Sequence, residues 1–403
     1  MSEKKKIVIV GGGFGGIYTA QSLEKILGER VDITLINKSN YFLFTPLLHE
    51  VATGGLTPKS VTEPIREIFR GDSVHFMEDV VIEIDKAKKE VKTSSQSLPY
   101  DYLVIGSGAE TNYFGVSGAV ENTFTLKNLT DAIAIRNHIL QTFEQAMTSK
   151  NKDLLTFSVI GGGATGVELS SELIEYVRHT LCTYYRNSGF KKEDVKVNLI
   201  SNMPDLISQF PEKMKGIALS VLQSKGVNVI LNTTVSKIEP HKIVTADNKE
   251  ISSHTIIWVA GVKPSLSQIK GIEVGPKGRM AVNEFLQSTQ DPAIFGLGDS
   301  AGSLPMLAQI AVQQAETVAN NIISSINDTE MVQFTTNIKG LLISLGQWSA
   351  IGQFGKVTLR GPIMWFIWRT IYLFNFHSWK KRSEIALEWT SNLFYPRDIT
   401  YIK

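Results

Sequence analysis

The chain has 403 residues, 43% hydrophobic and 20% charged, which excludes a mainly disordered protein and supplies apolar surface for two or three domain cores. Its 41 basic and 39 acidic residues nearly cancel to +2, giving no basic excess of the kind nucleic-acid binding needs. The single cysteine, Cys182, excludes an intramolecular disulfide and any multi-cysteine metal or iron–sulfur site, and no metal site is expected.

In chain order, Lys4–Lys6 reads as a solvated start, and no secretory or transit leader fits before the first strand, so the chain is expected to stay on the cytoplasmic side. From Lys6 to Asn37 an apolar strand, a glycine cluster, a helix over Ile17–Leu27 and a second strand, Ile33–Ile36, make one βαβ unit. The plan recurs 150 residues later. Phe157–Ile160 is a strand, Gly161–Gly166 a turn, Val167–Arg186 a helix and Val195–Ile200 a strand. Strand-like runs Tyr102–Ala109, Ile256–Gly261 and Ala293–Asp299 end in small residues, and the third leads into a helical pattern over Met306–Ile326. The expected fold is α/β, with two Rossmann-like domains, the second inserted in the first: residues 1–115 with 266–335, then 116–265, and a C-terminal helical, membrane-associated region, 336–403.

Gly11-Gly-Gly-Phe-Gly-Gly16 holds G-x-G-x-x-G directly after a strand and opening a helix. Gly11 permits the tight turn, Gly13 lets backbone approach a pyrophosphate, and Gly16 allows close helix–strand packing. The helix N-terminus behind them offers free N–H groups and partial positive charge. Gly161, Gly163 and Gly166 repeat the pattern in the same context, so each domain is expected to hold a dinucleotide. The acid that usually binds the adenosine ribose is absent twice: Asn37 ends the strand in the first unit and Ser201 in the second. Without a carboxylate at Ser201 a 2′-phosphate meets no repulsion, so NADPH is permitted alongside NADH.

The run from Thr289 to Gly296-Leu-Gly-Asp299 resembles the second FAD fingerprint of the two-dinucleotide-fold flavoprotein reductases, with Gly296 where alanine is usual. Asn40–Pro58, Gly166-Val-Glu168 and above all Ala308-Gln-Ile-Ala-Val-Gln-Gln314 resemble the type II NADH dehydrogenases, single-subunit NAD(P)H:quinone oxidoreductases. That resemblance implies FAD on the first unit, NAD(P)H on the second and a membrane quinone as acceptor. FAD contacts are then expected at Gly11, Gly13, Phe14, Gly15, Gly16, Asn37, Lys38, Pro46, Gly108, Gly298, Asp299, Ala308 and Gln309. NAD(P)H contacts are expected at Gly161, Gly163, Ala164, Thr165, Gly166, Glu168, Ser201, Ala260 and Gly261. It also implies that Glu168, Gln313 and Gln314 serve the nicotinamide and quinone edge of the flavin, with Glu172 ranked second. The lone cysteine separates the chain from disulfide reductases and sulfide:quinone oxidoreductases of the same fold, which need at least two.

The tail differs in composition. Five of the six tryptophans lie beyond residue 340, and residues 336–403 carry nine basic and three acidic side chains, a charge of +6 against −4 for the rest. Over 361–379 there is no uninterrupted apolar span, but at helical spacing Trp365, Trp368, Tyr372 and Trp379 share an arc, with Arg369, His377 and Lys380 on another side. The expectation is a peripheral, monotopic helix lying on an anionic lipid surface at the cytoplasmic face. A stripe packed on a domain core or a dimer interface is the competing arrangement, and a homodimer is left open. The expected activity is hydride transfer from NAD(P)H to FAD and two-electron reduction of quinone without proton pumping. Its alternatives are a reductase serving a soluble acceptor protein and a flavin-containing sensor or scaffold.

Overall fold

The computed structural model describes residues 4–275 and 277–401. In chain order the elements that build the sites are β1 (Lys5–Val10), α1 (Phe14–Leu27), β2 (Val31–Asn37), α2 (Leu48–Ala52), β3 (Val74–Glu78), β4 (Tyr102–Ile105), β5 (Phe124–Thr125) and α3 (Leu129–Ser149). They continue as β6 (Thr156–Ile160), α4 (Ala164–Glu175), β7 (Lys196–Ile200), α5 (Glu212–Ser224), β8 (Val227–Ile230), β9 (Thr255–Trp258), β10 (Ile294–Gly296) and α6 (Ala308–Asn327). The last are β11 (Leu341–Ser344), β12 (Ala350–Phe354), β13 (Val357–Arg360), α7 (Pro362–Phe374) and α8 (Trp379–Phe394).

The chain divides into two compact units. Unit 1 contains the residues up to Leu43, Thr62–Glu110 and Val262–Ile338; unit 2 contains Phe44–Val61, Thr111–Gly261 and the residues from Lys339 onward. Each is built on a five-stranded parallel sheet, in the order β10-β4-β1-β2-β3 in unit 1 and β5-β9-β6-β7-β8 in unit 2. Continuous apolar runs make these central strands because both faces are covered: Ile7, Ile9, Phe157 and Val159 are all fully enclosed. In both units the first strand of the βαβ repeat lies in the middle of the sheet, with the second strand on one side and a later strand on the other. This is the switch point at which open α/β sheets take ligands.

The glycine turns explain why both repeats begin alike. Gly11 and Gly161 sit at φ +106° and +127°, where a side chain is strained, and a Cβ on Gly16 or Gly166 would come within 1.8 Å of the carbonyl oxygen of Gly11 or Gly161 respectively. The helix read over Val167–Arg186 is α-helical to Glu175 and again over Cys182–Tyr184. It widens into a π-helical stretch at Tyr176–Leu181, a local distortion that often marks functional ground. In unit 2 the C-terminal residues add a three-stranded antiparallel sheet, β11-β12-β13, on which α7 packs, followed by α8.

Candidate functional site

In unit 1 the cradle lies at the carboxyl end of β1. Gly13 is exposed, with open space where a Cβ would be, and α1 begins behind it without an acidic residue in its first turn. An anion can therefore approach backbone N–H groups and the positive end of the helix dipole. Asn37 braces the loop, its Oδ1 accepting from Gly12 N–H at 2.9 Å while its Nδ2 donates to Ser39 O at 2.8 Å. Phe14 packs edge-on against Phe42, Gly15 backs onto Leu297, Lys38 is exposed, and Gly108 turns at φ +74° into open space.

Gly298 and half-buried Asp299 form a short turn ahead of α6. The Gly298 N–H donates to Oε1 of buried Gln314 at 2.7 Å. The Gln313 amide donates to Gln309 O and Asn337 O and accepts from Asn337 N–H. Both glutamines, read from the sequence as quinone contacts, thus hold backbone in place. Ala308 and Gln309 are the first two residues of α6. At Gly296 a methyl group would meet Met280 Cε at 2.2 Å and Ala301 Cβ at 2.7 Å, which accounts for glycine where alanine is usual.

Unit 2 repeats the cradle at the end of β6. Gly163 is exposed and open, Ala164 and exposed Thr165 start α4, and Gly161 backs onto Ala260. Gly261 lies against the Phe114 ring. Ser201 is enclosed: its hydroxyl accepts from Met203 N–H at 3.1 Å and fills the space beside Gly162, so the next residue, exposed Asn202, is the one presented outward. Pro46 belongs to unit 2, where its carbonyl accepts from buried His49.

Around α4, unit 2 gathers charge that sequence patterning showed only in part. Glu168 is buried. Its Oε1 accepts from Ser344 N–H at 3.1 Å and its Oε2 lies 3.9 Å from His49 Nδ1, with no Lys or Arg ion pair among the described residues. Glu172, one turn on, pairs with the Arg397 guanidinium, which also donates to Thr53 Oγ1 at 3.1 Å and lies 3.6 Å from Glu175. Glu175 pairs with Lys225 and accepts from Gln347 N–H at 2.9 Å. Glu50, on α2, accepts from Trp389 Nε1 at 2.7 Å.

Burial pushes the Glu168 carboxyl up to about 8, helped by the negative charges of Glu172 and Glu50 and opposed by the Ser344 N–H. Burial likewise pushes Glu50 up to about 7, against the pull of Arg369. Glu172 goes the other way: burial is overcome by Arg397, which holds it below the usual carboxylate range. His49 is pushed down to about 4 by burial, so its ring is neutral at physiological pH; with Nδ1 toward Pro46, its Nε2 is without a hydrogen-bond partner among the described residues. Cys182 is half-buried, and burial raises its thiol, the opposite of an activated thiolate.

The tail corrects the sequence reading. Trp365 and Trp368 are 1% and 0% exposed, so the aromatic stripe belongs to the core of unit 2 rather than to a lipid face. The helix also ends at Phe374, and Trp379 opens α8 instead of continuing the same face. Arg369, read as part of a polar face, lies between two indoles, 3.7 Å from the Trp365 ring and 4.8 Å from that of Trp389. The apolar residues that do face outward are others: Ile363 at 74%, Phe366 at 51% and Trp379 at 71%. Among the described residues no helix is long and apolar enough to cross a membrane, and no His, Cys, Asp and Glu cluster could hold a metal.

Residues 5–315 match the pyridine nucleotide-disulphide oxidoreductase family, and residues 338–398 match the NDH2 C-terminal domain. A type II NADH:quinone oxidoreductase of Haemophilus influenzae is 30% identical over 93% of this chain and 94% of its own length. The type II NADH:quinone oxidoreductase Ndh of Mycobacterium tuberculosis is 32% identical over 96% and 88%. The fold is similar to that of NDH2 from Plasmodium falciparum in complex with NADH, with a TM-score of 0.90 at 22% identity, covering 99% of this chain and 100% of that one. It is also similar, with a TM-score of 0.75 at 21% identity, to the sulfide:quinone oxidoreductase of Aquifex aeolicus, over 96% and 94%.

Proposed function

Since the chain belongs to the type II NADH:quinone oxidoreductases of the pyridine nucleotide-disulphide oxidoreductase family, we propose that it oxidises NADH and reduces a membrane quinone, with FAD held by unit 1 and the nicotinamide dinucleotide by unit 2. The observation that carries this reading is the pair of open glycine cradles, Gly13 at α1 and Gly163 at α4, each on its own parallel sheet. Both fit a pyrophosphate, because they leave a Cβ-sized space in front of a helix N-terminus free of acidic side chains. When bound, the flavin accepts the hydride and passes the two electrons on. Asp299, on its short turn, is suited to bond the ribityl chain. Gln314 keeps that turn in shape by accepting from Gly298 N–H.

The overall reaction consumes one proton: NADH supplies two electrons and one proton as hydride, and quinol carries two protons. We assign delivery of the other to Glu168. The cluster around it holds four carboxyls, Glu50, Glu168, Glu172 and Glu175, against three cations, Arg369, Arg397 and Lys225, so a neutral arrangement keeps one proton. Glu168, raised further than Glu50, keeps it. Nothing acidic at Ser201 or Asn202 repels a 2′-phosphate, so NADPH is permitted as a second donor.

Peripheral attachment to an anionic bilayer is supported by the outward Ile363, Phe366 and Trp379, with exposed Lys380 and a tail charge of +6. The test is the purified protein: flavin absorbance should be bleached by NADH and restored by a quinone at steady turnover. Absence of flavin, or NADH oxidation at the same rate without quinone, would overturn the proposal.

A further inference from the structure

The final described residues do not trail off the surface of unit 2. After α8 the chain runs back through Arg397, whose guanidinium is largely enclosed, and Asp398, whose side chain stays 51% exposed. Asp398 pairs at 2.6 Å with Arg136, a buried guanidinium on α3, and Arg397 reaches Glu172, Glu175 and Thr53. A buried ion pair such as Arg397–Glu172 costs desolvation on both sides and is weak evidence for stability. Its effect on neighbouring charge is direct.

We propose that Arg397 is a positioning residue for quinone reduction: by keeping Glu172 ionised, the C-terminal segment sets how firmly Glu168, one helical turn away, holds its proton. The proposal rests on the reading of Glu168 as the proton donor. Glu172 faces Glu168 on α4, and its charge strengthens the hold of Glu168 on a proton; Arg397 maintains that charge against burial. The other groups that face this pair are His49 and Glu50 from α2, Glu175 from α4, Arg369 and Tyr372 from α7, and Lys225 after α5. His49 is neutral, Tyr372 is raised by burial and stays protonated, and Lys225 is committed to Glu175. Arg397 is therefore the cation that compensates Glu172 by direct hydrogen bond.

The test is the pH profile of kcat with quinone, measured on the holoenzyme with its full chain. Activity that needs protonated Glu168 falls as pH rises through about 8. Arg397→Met leaves buried Glu172 without its cation, so Glu172 takes up a proton and the alkaline limb should move down by about one pH unit. Glu172→Gln removes the same negative charge and should move it down by about as much. The double variant should move the limb no further than either single change, and Arg397→Lys should leave it at the parent position. A limb that Arg397→Met leaves in place or moves up would overturn the role of Arg397. If Arg397→Met does not retain flavin and a cooperative thermal melt, Glu172→Gln decides: a limb that it leaves in place overturns the proposal. Glu168→Gln separates this idea from its premise. If that variant keeps the alkaline limb, Glu168 is not the donor; if it loses the limb while the Arg397 and Glu172 variants do not move it, only the role of Arg397 fails.

Discussion

The two glycine helices are built to one plan and loaded differently. Offset by 150 residues, Gly11 matches Gly161 and Gly16 matches Gly166, with the same left-handed turn and the same 1.8 Å approach to the turn carbonyl. The positions that follow diverge. Half-buried Tyr18, half-buried Ser22 and exposed Lys25 on α1 correspond to Glu168, Glu172 and Glu175 on α4, of which the first two are buried. On the proposed reading, the glycines serve dinucleotide binding in both units, while the carboxyls let unit 2 also handle protons. A binding motif and a chemical function occupy the same helix at different angular positions.

The strongest way to break this parallel is to fill each cradle. Gly16→Val should leave a protein without bound flavin, because the added carbons overlap the Gly11 carbonyl. Gly166→Val should retain the flavin absorbance but lose its bleaching by NADH by roughly a hundredfold or more. If both variants lost flavin equally, the division of labour between the sheets would be wrong. The next effect belongs to α4 alone. Glu168→Gln removes a general acid and should lower quinone turnover by roughly 10²-fold. It should also change stability in a set direction. A carboxyl raised by burial from 4.5 to about 8 binds a proton more tightly folded than unfolded, so the native protein loses stability as pH rises across that window. Thermal melts of the parent should fall from pH 5 toward 8, and Glu168→Gln should flatten that fall.

Much of unit 1 and of the unit 2 sheet was legible because strand, glycine turn and helix follow one another within a short stretch of chain. Local pattern suffices for such a unit. The carboxyl cluster was legible only at Glu168 and Glu172, which share a helix with the motif. Its other members arrive from distant segments: Glu50 on α2, Lys225 after α5, Arg369 on α7 and Arg397 near the end. No spacing rule joins residues 50 and 397. The tail misled for a related reason. Periodicity located an aromatic face at Trp365 and Trp368 but wrongly extended it to Trp379; an aromatic face suits a protein core and a lipid surface equally, and Arg369 between Trp365 and Trp389 marks it as core. Phe366, which lies outside that stripe, faces outward.

That inversion makes a third, smaller effect testable. Replacing Ile363, Phe366 and Trp379 together by Ser should release the protein from vesicles containing anionic lipid while turnover with a water-soluble quinone analogue stays within about twofold of the parent. Trp368→Phe, on the buried face, should instead lower the melting temperature and leave vesicle binding unchanged.

The smallest expected effect returns to the two helices. Lys25 on α1 occupies the position of Glu175 on α4, but it is exposed in the last turn, where a cation interacts weakly with the helix dipole. Lys25→Gln should change stability by no more than about 0.5 kcal/mol and leave the pH profile of quinone reduction where it was. Glu175→Gln removes the ion-pair partner of Lys225, a largely buried ammonium whose remaining acceptor is the Leu345 carbonyl, and it should destabilise clearly more. Equal effects at these two positions would mean that the charges on α4 are ordinary surface decoration. A large difference at matched positions, with matched glycines ahead of them, would assign it to what the second helix carries inward.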